Sequence, residues 1–308
     1  MAELLTWQDE ARRTARRVRQ RVLRYTLENN GGYLSQACSS AEILAVLYTR
    51  LLNIGPSEAP ALPLPFPGVP GPDNPGYFTG AGYNGPRGPE LDRFFFSPVH
   101  YALVLYSTLI EVGRMAPEGL DQFNRDGSSV ELIGAEHSPG HELTAGSLAQ
   151  CISQAGGIAL GRRLKGEPGR NLIFMSDGEF QEGQVWEALA AISYHRLDSV
   201  VVYVDANAQQ CDGAMDAVMN VDPLAERVRA FGAQVTEVDG HDVEALVAPV
   251  EAKSGQGPLV VLARTDPCRG LDLLRSRAPK LHYVRFKSDE ERARYREALE
   301  QMESEDGE

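Results

Sequence analysis

The chain has 308 residues, 43% of them hydrophobic, enough to bury one large α/β core or two modest ones. A formal net charge of −13 favours solubility and argues against a nucleic-acid partner, and no apolar stretch approaches the roughly 20 residues of a membrane span. There is no secretory apolar core, and Cys38, Cys151, Cys211 and Cys268 form no Cys-x-x-Cys pair, so they read as reduced residues of a cytoplasmic protein.

In chain order, residues 7–27 form a helix with Ala11, Ala15, Val18, Val22 and Tyr25 at helical spacing. Its remaining faces carry Arg12, Arg13, Arg16, Arg17, Arg19, Arg21 and Arg24, expected to be solvated or to meet an acidic surface. A loop at 30–35 containing Tyr33 leads to a second helix with Ile43, Leu44, Val46 and Leu47 on its core face. Residues 55–89 hold more than half of the prolines, many glycines and the aromatics Phe66, Tyr77, Phe78 and Tyr83. That composition forms neither helix nor central strand, leaving an ordered loop over an active-site mouth or interface, or a disordered one. The run 102–106 is core helix, and Gly156-Gly157 inside a later helix permits close packing against a neighbour.

Two buried strands at 172–175 and 200–204 flank a helix over 182–195 with Val185, Trp186, Leu189 and Ile192 on one side. The loops leaving these strands carry Asp177 and Asn207, and in a parallel sheet ligands bind at those ends. A carboxylate and an amide oxygen are hard donors suited to Mg²⁺, which is held by one or two protein groups while substrate phosphates complete its shell. The alternative is a turn at Asp177-Gly178 and a cap at Asn207. A strand at 233–238, a helix at 242–252 capped by Asp242 and a strand at 259–263 follow; the acidic segment 292–308 is a helix and fraying tail. The alternation throughout predicts one domain over 1–308, a doubly wound α/β fold with a mostly parallel sheet and helices on both faces.

Ser176-Asp177-Gly178, with Asn207 about thirty residues later, resembles the thiamine-diphosphate signature, and the flanking DGEFQEGQVWEA resembles transketolase. The resemblance extends to Asp92-Arg93-Phe94 with His100, to 136–150 with Gly146-Ser147-Leu148 at a helix start, and to Pro279-Lys280-Leu281-His282. Four residues depart from it: Tyr33 for histidine, Val99, Ala149 and Ser176 for glycine. The family match implies thiamine diphosphate with Mg²⁺ (or Ca²⁺ or Mn²⁺), the metal held by Asp177, Asn207 and the Gln209 backbone carbonyl. It assigns Gly146, Ser147, Leu148, Gly178, Glu179 and Glu182 to the cofactor side, Glu182 at an interface between two cofactor sites. His100, His282, Tyr33 and one of the rivals His137 and His141 are then expected to hydrogen-bond substrate and move protons.

Only the diphosphate-binding part of a transketolase is matched. The resemblance therefore implies the N-terminal subunit of a split, transketolase-like transferase moving a two-carbon ketol or related acyl unit from a ketose to an aldehyde. Its implied partner is a separate C-terminal subunit carrying the pyrimidine-binding domain, in an α₂β₂ assembly. Two other readings stay open: the α-subunit of a 2-oxo acid decarboxylase or acyloin-forming enzyme, and a degenerate, non-catalytic subunit.

Overall fold

A computed structural model describes residues 5–304. Helix α1 (Trp7–Asn29) starts where the Thr6 hydroxyl accepts from the Asp9 amide at 3.2 Å, and ends at Asn30 in a left-handed cap. Ala11, Ala15, Val18 and Val22 are its buried stripe. Much of its arginine face is neutralised inside the chain. Arg12 meets Glu244 at 2.8 Å, and Arg19, Arg21 and Arg24 pair with Glu42, Glu111 and Glu303. Helix α2 (Leu34–Val46) follows and is buried along its whole length.

The proline-rich segment 55–89, an insertion in the reading that the family resemblance implies, then runs to strand β1 (Arg93–Phe96), helix α3 (Ala102–Glu111), a long loop and helix α4 (Gln150–Lys165). Beyond these come β2 (Asn171–Ser176), α5 (Gly183–Tyr194), β3 (Val200–Ala206), the two-residue strands β4 (Gln209–Gln210) and β5 (Gly213–Ala214), and the single turn α6 (Met215–Val218). The chain continues through α7 (Leu224–Ala230), β6 (Gln234–Asp239), α8 (Val243–Glu251), β7 (Leu259–Arg264) and α9 (Asp289–Ser304). Helix α9 persists to Ser304; the last four residues of the expected fraying tail lie outside the described residues.

Five strands form one parallel sheet in the order β1-β2-β3-β7-β6. Strict alternation divides its side chains between two cores. Phe94, Phe96, Leu172, Phe174, Val201, Tyr203 and Val261 pack with α1, α2, α3, α8 and α9. Phe95, Ile173, Met175, Val202, Val204 and Val260 pack with α4, α5 and α7. This is the expected doubly wound sandwich. Gly156 permits the α4–α5 contact, since a Cβ there would meet Ile192 at 2.8 Å; Gly157 faces open space.

The proline-rich insertion is held by the body of the protein, and its regular structure is a short 3₁₀ turn at Gly80–Asn84. Arg114 donates to the carbonyls of Tyr83 and Gly55, both at 2.9 Å, and Asn84 donates to the Gly140 carbonyl at 3.0 Å. The Tyr77 hydroxyl reaches Glu136 at 2.6 Å, and Pro65 bridges Ser128. The segment thus lies on residues 114–140.

Candidate functional site

Sheet register brings Ser176 beside Asp205 and Asp205 beside Ala263, so β2, β3 and β7 end together. At that end lies a cavity of about 230 Å³, lined among others by His100, Gly146, Leu148, Gly178, Asn207 and His282. Among the described residues, no lysine or arginine lines it. An anion bound there would need a cation or backbone N–H groups to balance its charge.

Asp177 follows β2 directly and is buried. Its Oδ2 accepts from the Ala208 amide at 2.8 Å; its Oδ1 has no partner. Burial, reinforced by the neighbouring Asp205 carboxylate, pushes Asp177 up to about 8. A divalent cation would answer the orphaned oxygen and favour the ionised carboxylate that burial opposes. Asn207 stands opposite, its Oδ1 accepting from the Gln209 amide at 2.9 Å, and Ala208 takes a left-handed φ of 57° to turn the chain into the β4–β5 hairpin. The oxygen donors of Asp177, Asn207 and Gln209 fit a hard cation such as Mg²⁺.

An aromatic group forms the mouth. The Tyr33 ring lies 6.0 Å from His100, 5.4 Å from His282 and 4.9 Å from Tyr283, and the two imidazoles are 4.9 Å apart. Burial, with His282 adding repulsion, lowers His100 to about 3, and burial also lowers His282. Both rings are therefore neutral near pH 7. Gln36 Nε2 lies 3.3 Å from His282 Nδ1; with the amide nitrogen so assigned, Nδ1 accepts and Nε2 keeps the proton.

The structure gathers Tyr33, His100, Gly146, Leu148, Gly178, Asn207, Gln209 and His282 around this cavity, with Asp177 beneath it. It does not bring the others there. His137 sits on Glu131 at 2.9 Å and against Phe66, and His141 is fully buried between Phe96 and Tyr106. Neither rival lines the cavity, because each is held by side chains of the protein body. Glu179 is likewise interior: it accepts from the Ser176 amide at 2.9 Å, the Ala149 amide at 3.1 Å and the Ser97 hydroxyl, closing a capping box. Glu182 and Ser147 are exposed. Helix α4 begins at Gln150, so Gly146, Ser147 and Leu148 form the turn before it rather than its first residues.

Two of the departures from the family pattern acquire a physical meaning. Ser176 has an extended backbone, φ −105°, so the loop does not require glycine. Ala149 does take a left-handed φ of 66°, where a Cβ costs about 1 kcal/mol.

Sequence reasoning missed Asp205, Ser39, Tyr101 and Thr265. Asp205 is 0% exposed, and its Oδ2 accepts from Ser39 Oγ at 2.6 Å, the Tyr101 hydroxyl at 2.8 Å and Asn207 Nδ2 at 3.0 Å. Its Oδ1 accepts from the Thr265 hydroxyl. Burial pushes its carboxyl up while the four donors oppose that shift. One signal was available: a carboxylate inside a central parallel strand is tolerated only with partners.

A family model described as the transketolase thiamine diphosphate binding domain matches residues 82–266. The 6-deoxy-6-sulfo-D-fructose transketolase subunit of a Clostridium species is 33% identical, covering 81% of this chain and 83% of that one. An apulose-4-phosphate transketolase subunit from Actinobacillus succinogenes is 27% identical over 92% of this chain and 93% of its own. In fold the chain is similar to the crystal structure of Campylobacter jejuni transketolase, with a TM-score of 0.72 at 21% identity, covering 99% of this chain and 48% of that one. The chain thus spans about half the length of the solved transketolases it matches. Sequence match and parallel-sheet architecture agree: this chain belongs to the transketolase family and contains its thiamine diphosphate-binding domain.

Proposed function

We propose that this chain is the diphosphate-binding subunit of a two-component, transketolase-like transferase that moves a two-carbon ketol or related acyl unit from a ketose to an aldehyde. The observation that carries this reading is the buried, partnerless Asp177 Oδ1 next to Gly178 and Asn207, two residues that line the cavity with His100 and His282. Asp177, Asn207 and Gln209 would hold Mg²⁺. The turn at Gly146 and Leu148, with Gly178, would meet the diphosphate. Thiamine diphosphate, when bound, supplies stabilisation of negative charge on the carbonyl carbon from which the two-carbon unit is cut. The chain's own part is to bind and orient. His100, His282 and Tyr33 would hydrogen-bond the substrate's oxygens; as neutral imidazoles the two histidines can donate from one nitrogen and accept at the other.

Support for a second subunit comes from relatives. Two relatives that the chain matches over more than four-fifths of their own length are described as transketolase subunits. The partner in this reading carries the pyrimidine-binding domain, and exposed Glu182 meets the second cofactor site of an α₂β₂ assembly in the cytoplasm. Among the described residues no helix is long and apolar enough to cross a membrane. The extended backbone at Ser176 also removes one reason for reading the chain as degenerate.

The test is Mg²⁺-dependent binding of thiamine diphosphate, followed by ketol transfer after mixing with a protein that carries the remaining transketolase domains. Binding and turnover are expected together only in the mixture of both chains. A mixture that neither binds the cofactor nor consumes a ketose would refute the reading.

A further inference from the structure

An asparagine can serve a metal only through its oxygen, and its two amide faces have nearly the same shape. Something must decide which one points outward. Here the Asn207 amide nitrogen has three acceptors behind it: Asp205 Oδ2 at 3.0 Å, the Tyr101 hydroxyl at 3.0 Å and Ser39 Oγ at 3.4 Å. The same Tyr101 and Ser39 hydroxyls donate to Asp205 Oδ2, at 2.8 Å and 2.6 Å. Thr265 donates to the other oxygen. All four groups are side chains from different parts of the fold: α2, the turn before α3, the end of β3 and the loop after β7. A carboxylate accepts at both oxygens and offers no donor, so it can receive the amide nitrogen and never the amide oxygen.

We infer that Asp205, assisted by Tyr101 and Ser39, is a positioning unit that locks Asn207 with its nitrogen inward and its Oδ1 toward the cation site. This rests on the proposed function, because it presumes that Asn207 serves a metal. Asp205 itself touches neither cation nor cofactor. Outer-shell partners of this kind typically change metal affinity by about 10–100-fold when removed.

Substitutions separate positioning from a merely structural role. Asp205→Leu removes the carboxylate and frees the amide to turn, so Mn²⁺ binding in the presence of thiamine diphosphate should weaken about 10–100-fold. Asn207→Asp alone places two carboxylates side by side and should also weaken binding. In the Asp205→Leu background the same Asn207→Asp change should instead restore affinity, since a carboxylate presents oxygen on either face and re-engages the Tyr101 and Ser39 hydroxyls.

Equilibrium dialysis of the full chain, mixed with a protein that carries the remaining transketolase domains, against Mn²⁺ and thiamine diphosphate reads all four proteins, with thermal melts of the chain alongside. Reversal of the effect of Asn207→Asp between backgrounds is the expected result. Unchanged affinity in a folded Asp205→Leu protein, or no rescue in the double variant, would overturn the inference. If Asp205→Leu does not fold, Tyr101→Phe keeps the ring and removes one acceptor; it should weaken Mn²⁺ several-fold at an unchanged melting temperature, and unaltered affinity would overturn the inference. Absence of Mn²⁺ and cofactor binding by the wild-type chain, alone and with its partner, would instead remove the proposed function on which the inference stands.

Discussion

The floor of the cavity and the proline-rich insertion solve opposite problems. At the floor, three parallel strands end in register and deliver carboxylates and amides into a buried place, where Asp205 is satisfied fourfold and Asp177 is left with an unanswered oxygen. The insertion has no ladder of its own, yet side chains of the body satisfy its carbonyls, chiefly through Arg114, Ser129 and Gln122. Regular structure there supports an unsatisfied group; irregular structure here is tied down. A buried unsatisfied carboxylate costs stability, so its retention points to a ligand, whereas hydrogen bonds in a loop point to shape.

Four experiments probe that contrast, in descending size of effect. Asp177→Ala should reduce metal-dependent cofactor binding by at least about 100-fold while leaving thermal stability unchanged or raised by about 1 kcal/mol, measured by calorimetric titration and melting. A large loss of stability would mean that Asp177 serves the fold instead. Gly80→Ala should cost about 3 kcal/mol in chemical denaturation, because a Cβ there would lie 1.7 Å from the Ser138 carbonyl oxygen. Gly82→Ala, whose Cβ would meet Ala59 at an ordinary 3.6 Å, should change stability by no more than about 0.5 kcal/mol.

Arg114→Ala orphans the carbonyls of Tyr83 and Gly55 and should cost about 2 kcal/mol, with faster proteolysis inside the insertion. An unchanged cleavage pattern would show that the insertion does not depend on this clamp.

The effect that is smallest at neutral pH concerns His141, which burial lowers to about 4 against an ordinary 6.5. Between those values the unfolded chain holds a proton that the folded chain lacks. Its contribution is therefore complete above pH 6.5 and declines as the pH falls toward 4, by roughly 1.4 kcal/mol per pH unit. His141→Phe should flatten that part of the stability profile; an equally steep profile would assign the slope to other groups.

Much of the fold was legible in the sequence because its signals are local. Apolar runs at Leu172–Met175 and Val200–Val204, the stripe of α1 and the Asp242 cap each depend on neighbours a few residues away. The choice among histidines was not legible. His100 and His282 are separated by 182 residues in the sequence, yet their rings stand 4.9 Å apart, while His137 and His141 are drawn aside by Glu131, Phe96 and Tyr106.

The sequence by itself determined four of the five sheet strands (but not β1), helices that cross between those four, and a pair of oxygen donors placed at strand ends, since periodicity and strand-to-loop order are written residue by residue. Only the tertiary structure decided that Glu179 turns inward, that the insertion is pinned, and that Ser39, Tyr101, Asp205 and Thr265 converge behind Asn207. Those outcomes depend on contacts between elements far apart in the chain. A hydrogen bond at 2.6 Å between residues 39 and 205 exists because α2 packs on the end of β3, and no local pattern in either segment contains it.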